Sequence, residues 1–154
     1  DTDGRATARR AVLSALAAPS ILRPPPASMP LLLASDSRPV HFVGIAGAGM
    51  SALAELFVRR GAVVTGCDAA PGHAEDLARL GIAVTAGHDP AHVAGARALV
   101  VTSAMPKDHP ELAAARAAGL PVIRRAEALA EAVAGGTVIG IAGTHGKTTT
   151  TVLT

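Results

Sequence analysis

From Val40 onward, short apolar runs alternate with alanine-rich stretches whose large apolar residues recur at helical spacing. The runs near 40–45, 62–67, 82–85, 98–102, 121–123 and 137–142 predict buried strands. The intervening stretches near 49–60, 73–80, 109–118 and 125–134 predict helices. In the first of these, Met50, Leu53, Leu56 and Phe57 share one face, and Arg59-Arg60-Gly61 closes it with the basic residues and glycine that suit a helix C-terminus. Strands alternating with helices imply βαβ units and a doubly wound, largely parallel sheet, so the predicted class is α/β and Rossmann-like. The pattern is absent before residue 39. Residues 1–38 are rich in Ala, Pro, Ser and Arg, with three prolines at 24–26, and read as a disordered extension. Arg9-Arg10 ahead of a short apolar stretch faintly resembles an export signal, but Pro19 and Arg23 interrupt it. Met29 stands where a natural start would fall, with the residues before it as upstream sequence. The Gly135-Gly136 pair marks a boundary, which divides the chain into a domain at 39–135 and the start of a second, truncated one at 136–154.

Two glycine loops follow predicted strands. The first, Gly44-Ile-Ala-Gly-Ala-Gly-Met-Ser51, contains Gly47-x-Gly49-x-x-Ala52, the dinucleotide fingerprint with alanine at its third position. The first glycine allows a tight turn, the second lets a diphosphate approach the backbone, and the small third residue lets helix and strand close up. Asp68 ends the next strand, nineteen residues beyond Gly49, near the spacing of a ribose-binding acid. The second loop, Gly143-Thr144-His145-Gly146-Lys147-Thr148-Thr149, is a short variant of the phosphate loop, because Ile141 stands where the strict motif has its first glycine. Its backbone N–H groups would cradle phosphates, Lys147 would reach the outer ones, and the Thr148 hydroxyl is placed to hold Mg²⁺. Two such loops call for two different ligands, and an NAD enzyme gives no use for the second. An NAD(P)-binding oxidoreductase module that uses residues 44–68 nevertheless stays open as an alternative.

Composition narrows the classes. The 154 residues carry a net charge of +2, too little to argue for nucleic acid or a membrane surface, and no run is long enough to span a bilayer. Phe42 and Phe57 are the only aromatics, so bases are not read by stacking. The single cysteine, Cys67, excludes an internal disulfide, fits a reducing compartment and reads as a small buried hydrophobe. Only two lysines, Lys107 and Lys147, stand against twelve arginines, yet the phosphate loop uses one, where a compact ammonium suits phosphate better than a planar fork. His41, His73, His88, His92 and His109 show no metal-ligand spacing; Pro90 breaks the His88–His92 pair. All five read as surface or satisfied polar residues.

The segments VHFVGIAGAGMSALAE at 40–55, VTGCD at 64–68, LVVTSAMPKDHPEL at 99–112, PVIRRAEALAE at 121–131 and IAGTHGKTTTT at 141–151 together resemble the Mur ligase family. These ATP-dependent ligases build the peptide stem of peptidoglycan, in the cytoplasm. His145 in the second loop is similar to the alanine-adding branch, and GAGMS favours that branch over the relative that recycles murein tripeptides, which shares the histidine. The resemblance implies an N-terminal Rossmann-like UDP-sugar domain, a central ATP domain of which only the first strand and phosphate loop are present, and a closing third domain. It implies that ATP, with Mg²⁺, activates the carboxylate of UDP-N-acetylmuramate as an acyl phosphate, which the amine of L-alanine then attacks. Gly47, Ala48, Gly49, Met50 and Ser51 would contact the UDP diphosphate, and Asp68 the uridine end. Ser103 and Ala104, at the end of the fourth strand, would face the ligand, and Arg124 and Arg125 would offset its charge. Gly143, Thr144, His145, Gly146, Lys147, Thr148 and Thr149 would hold ATP, with Lys147 and Thr148 catalytic and Thr148 also on the metal. The alanine site and the remaining metal ligands would lie beyond Thr154, and the chain alone is expected to be inactive.

Overall fold

A computed structural model describes residues 31–32, 36–72 and 74–134, with isolated positions at 136–137, 140, 144–145, 148 and 151–152. Residues 1–30, most of the expected 137–142 strand, and Gly143, Gly146, Lys147 and Thr149 lie outside the described residues.

Five strands form one sheet: β1 (Val40–Val43), β2 (Val64–Asp68), β3 (Ala83–Ala86), β4 (Ala98–Val101) and β5 (Val122–Arg124). Their order is β3-β2-β1-β4-β5 and every pairing is parallel, with Val40 opposite Val64 on one side and Ala98 on the other. β1 and β4 are buried along their whole length, as central strands covered on both faces must be. Helices α1 (Ala48–Arg59), α2 (Ala74–Arg79) and α3 (Pro110–Ala117) lie between successive strands, and α4 (Arg125–Ala132) follows β5. A 3-10 turn at Pro90–Val93, not expected from the sequence, leads into β4. Proline at its first position and Asp89, which accepts the Ala91 N–H at 2.7 Å, hold that turn without any apolar periodicity to announce it.

Alternation along β1 sorts two cores. Val40 and Phe42 face α1 and α4 with Met50, Leu53, Phe57, Ala128 and Ala132. Phe42 and Phe57 meet edge to face at 5.4 Å. Val43, Cys67, Leu99 and Val101 face the other way, towards the 3-10 turn and α3, with Val93, Leu112 and Ala115. Leu31, within the segment read as an extension, is 3 % exposed in the first core, and the Leu32 N–H donates to Glu131 Oε1 at 3.0 Å.

Gly66 in the middle of β2 couples fold to site. A Cβ there would stand 2.5 Å from Ile45 Cδ1 and 2.8 Å from the Phe42 carbonyl oxygen, so the chain leaving β1 can cross β2 only because that position has no side chain. Gly66→Ala should therefore destabilise the domain by about 2–3 kcal/mol, an overpacking cost against backbone that cannot move aside. Urea denaturation checks this; an unchanged midpoint would mean that Ile45 relaxes freely.

Candidate functional site

The strand order reverses between β1 and β4, and open α/β sheets bind ligands in the crevice at that point, outside the carboxyl ends of the strands. Gly44 leaves β1 at φ 75°, and both its N–H and that of Ile45 donate to the Cys67 carbonyl, at 2.8 and 3.1 Å. The Gly44 carbonyl then accepts the Gly47 N–H at 3.2 Å, and the Gly47 carbonyl accepts those of Met50 and Ser51. Among the described residues, the Ala48 and Gly49 N–H groups take no such bond. Gly47 caps α1 without a side-chain hydrogen bond and no acid stands in the first turn, so no carboxylate of the helix itself offsets its positive end. This is the arrangement that binds a diphosphate.

The predicted residues of the first site each have a place. Met50 turns its side chain into the core, 3 % exposed, and Ser51 Oγ donates to the Ala48 carbonyl at 3.2 Å. Asp68 Oδ2 accepts the Ala46 N–H and Oδ1 that of Ala70, each at 2.9 Å, so its carboxylate fixes the glycine loop to the end of β2. Arg125 lies directly against Gly49, where a Cβ would collide with its guanidinium. Arg124 points elsewhere. Together with Thr102, Ser103, Lys107 and Arg116 it lines a cavity of about 340 Å³ at the ends of β4 and β5. Thr102 bridges the two regions, since its Cγ2 also lies 4.0 Å from where a Cβ on Gly44 would be. Arg116 Nη1 donates to the Lys107 carbonyl at 3.2 Å. Three cations thus line the cavity while a fourth, Arg125, guards the loop.

The sequence pointed to Ser103, Arg124 and Arg125 but not to Thr102, Lys107 or Arg116. The rarity of lysine was the available signal for Lys107. Of the second loop, Thr144 and His145 are exposed in a bend, and Thr148 is exposed in helical conformation.

The reading of the histidines as surface or satisfied polar residues holds for His88 and His92, which are partly exposed and hydrogen-bonded, and is corrected for His41 and His109, each of which buries one ring nitrogen with no partner. His73 lies outside the described residues, but the other four converge on one buried glutamate, Glu111, at the start of α3. His92 Nδ1 is 2.8 Å from Glu111 Oε1, and His88 Nδ1 is 3.7 Å from Oε2. The His109 ring stands 4.7 Å from that of His88, and His41 is 2 % exposed. Sequence spacing hid this because the residues come from β1, two loops and the N-cap of α3.

The fold and loop define a class: a Rossmann-like domain whose glycine loop runs into a helix N-terminus at the switch point of a parallel sheet. Comparison with known proteins narrows the class. Residues 39–137 match the Mur ligase family, catalytic domain, and the chain belongs to that family. It is 51 % identical over 112 residues to the UDP-N-acetylmuramate–L-alanine ligase of Acidothermus cellulolyticus and 54 % over 114 residues to that of Arthrobacter sp.. These alignments cover 72 % and 73 % of this chain but 24 % of each relative, so the chain spans about a quarter of their length. Two crystal structures are also similar. A murein peptide ligase from Psychrobacter arcticus has a TM-score of 0.68 at 35 % identity, over 73 % of this chain and 24 % of that one. UDP-N-acetylmuramate-alanine ligase from Thermotoga maritima has 0.55 at 28 %, over 62 % and 22 %.

Proposed function

We propose that this chain is the UDP-sugar-binding part of an ATP-dependent ligase that joins L-alanine to UDP-N-acetylmuramate in peptidoglycan biosynthesis. The observation that carries the reading is the pair of unengaged N–H groups at Ala48 and Gly49, set beside Arg125 at the switch point of the sheet. That arrangement suits a diphosphate, and relatives of more than 50 % identity are named for a UDP-linked substrate. Ser103, Arg124 and the lysine and arginine of the adjoining cavity would take the remaining charge of the sugar nucleotide. Asp68 serves first to hold the loop, and any contact to the uridine end would be additional.

ATP would be held by the second loop, where the exposed hydroxyl of Thr148 fits a hard, oxygen-preferring cation. Mg²⁺ bound there would offset the charge that spreads over a transferring phosphoryl group. With nucleotide substrates, the reaction belongs in the cytoplasm, and among the described residues no helix is long and apolar enough to cross a membrane.

Parallel calorimetric titrations with UDP-N-acetylmuramate and NADH test the assignment. Binding of the first alone is expected, whereas NADH binding in its place would make this an oxidoreductase module. Arg124→Ala should weaken UDP-N-acetylmuramate about three- to tenfold, the modest loss expected for an exposed cation in high dielectric. No change would take the cavity out of the site. The murein peptide ligase neighbour keeps a second reading in view, in which the acceptor is a peptide. Assaying the whole ligase with L-alanine and with a murein tripeptide separates the two.

A further inference from the structure

The face of the sheet turned away from α1 holds a cluster that nucleotide binding does not use. Glu111 is fully buried, and its carboxylate collects the Cys67 thiol at 3.1 Å to both oxygens, His92 Nδ1 at 2.8 Å and the Asp89 N–H at 3.1 Å. His41 adds a ring from β1: its Nδ1 meets Thr65 Oγ1 at 2.9 Å, while its Nε2 is buried with no partner. One donor atom from each of His41, Cys67, His92 and Glu111 lies within 4.8 Å of all the others.

A hydrogen-bonded network alone leaves part of this unexplained. Burying an imidazole nitrogen without a partner costs about 1–3 kcal/mol, and here it happens beside a carboxylate and a thiol. Burial holds His41 down to about 4, so the ring is neutral and Nε2 is free either to donate or to ligate. Burial also pushes the Glu111 carboxyl up, but the hydrogen bonds from Cys67, His92 and the Asp89 N–H outweigh it and keep the group ionised. The Cys67 thiol is pushed well up by burial and by its bond to Glu111, so without a cation it stays protonated.

We propose that Cys67, His92, Glu111 and His41 form a structural site for a zinc-like divalent transition-metal ion. One sulfur, two imidazole nitrogens and one carboxylate oxygen are a zinc donor set, and they exclude Mg²⁺ and Ca²⁺, which demand oxygen. Tetrahedral zinc with bonds of about 2.0–2.3 Å sets its donors about 3.3–3.8 Å apart. The close pairs here would open slightly, and a pair at the 4.8 Å limit would close by no more than about 1–1.5 Å, within the reach of side-chain rotation. Cys67 would lose its proton to solvent on binding and coordinate as thiolate. His88 and His109 bring further nitrogens to the same carboxylate, and the partly exposed rings of His88 and His92 mark the way in. Such an ion would tie β1, β2, the 3-10 turn and α3 together. It would also fix Cys67, whose carbonyl receives the two N–H groups that start the glycine loop.

The untagged chain, stripped with EDTA and titrated with Co²⁺, tests this directly. The expected result is a break at one ion per chain with a near-ultraviolet thiolate-to-cobalt band and tetrahedral visible bands. Cys67→Ser should abolish the near-ultraviolet band, and since Cys67 is the only cysteine the assignment has no ambiguity. Glu111→Gln should weaken binding at least tenfold. Because both variants are buried and could unfold, two measurements avoid them. Zinc should raise the melting temperature of the wild-type chain by about 5 °C or more, and His92→Asn, at the rim, should lose most of that gain. Absence of both the cobalt band and the melting shift in the wild-type chain would overturn the site, as would a band that persists in Cys67→Ser.

Discussion

Gly49→Val is expected to leave the chain folded and to weaken UDP-N-acetylmuramate binding at least a hundredfold, about 2.7 kcal/mol. The position is the second residue of α1, where valine costs no more helix propensity than glycine does. The first atom its Cβ would meet is the end of the Arg125 side chain, which can swing away. Stability should therefore change little. Binding should suffer twice. The swing withdraws the cation nearest the loop, and the branched side chain covers the Ala48 and Gly49 N–H groups that a diphosphate bound there would reach. Calorimetry on Gly49→Val, Arg125→Ala and the double variant separates these effects. If only the displaced arginine mattered, the valine would be harmless in the Arg125→Ala background; a further loss of at least tenfold is expected there instead. Full affinity in a folded Gly49→Val chain would remove the glycine loop from the site.

Lys147→Ala, made in a ligase of the full length of its relatives, should lower ATP-dependent ligation at least a hundredfold while sparing UDP-N-acetylmuramate affinity. Charge spreads over the phosphoryl oxygens in the transition state, and loss of one preorganised cation there is worth on the order of 3 kcal/mol or more. The sugar nucleotide would be untouched, because its loop follows β1 and the lysine belongs to the other loop. Lys147→Arg should recover only part of the rate, since a planar guanidinium does not reproduce the compact point charge of an ammonium. Phosphate release is the measurement for rate and calorimetry the one for binding. A parallel loss of both would show that the two loops form one site, and an unchanged rate would take Lys147 out of catalysis.

Most of the fold was legible in the chain itself. Parallel βαβ units require continuous apolar strands and amphipathic helices, and Val40–Val43, Ala98–Val101 and the Met50–Leu53–Phe57 face announce them one segment at a time. The glycine loop at 44–51 was equally plain, because a backbone that must approach a phosphate can tolerate only glycine at fixed offsets. Such features are local: each is written within one turn or one strand, so no distant residue is needed to read it. The second loop was read in the same way, and it lies largely outside the described residues.

Tertiary structure decided everything that depends on which segments meet. Asp68 stood at a ribose-like spacing, yet its oxygens are engaged by the Ala46 and Ala70 N–H groups, because parallel pairing of β1 with β2 brings the glycine loop to that strand end. Arg124 and Arg125 are neighbours in sequence, but the change from β5 to α4 between them sends one into the cavity beside Lys107 and the other onto Gly49. The gathering of the histidines was hidden for the same reason. His41, His88, His92 and His109 carry no spacing of their own, and they gather only because strands spaced along the chain are laid edge to edge, which places Glu111 of α3 beneath Cys67 of β2. Sequence determines what each segment is, through periodicity and backbone sterics; the sheet order, a balance over the whole core, determines which side chains share a site.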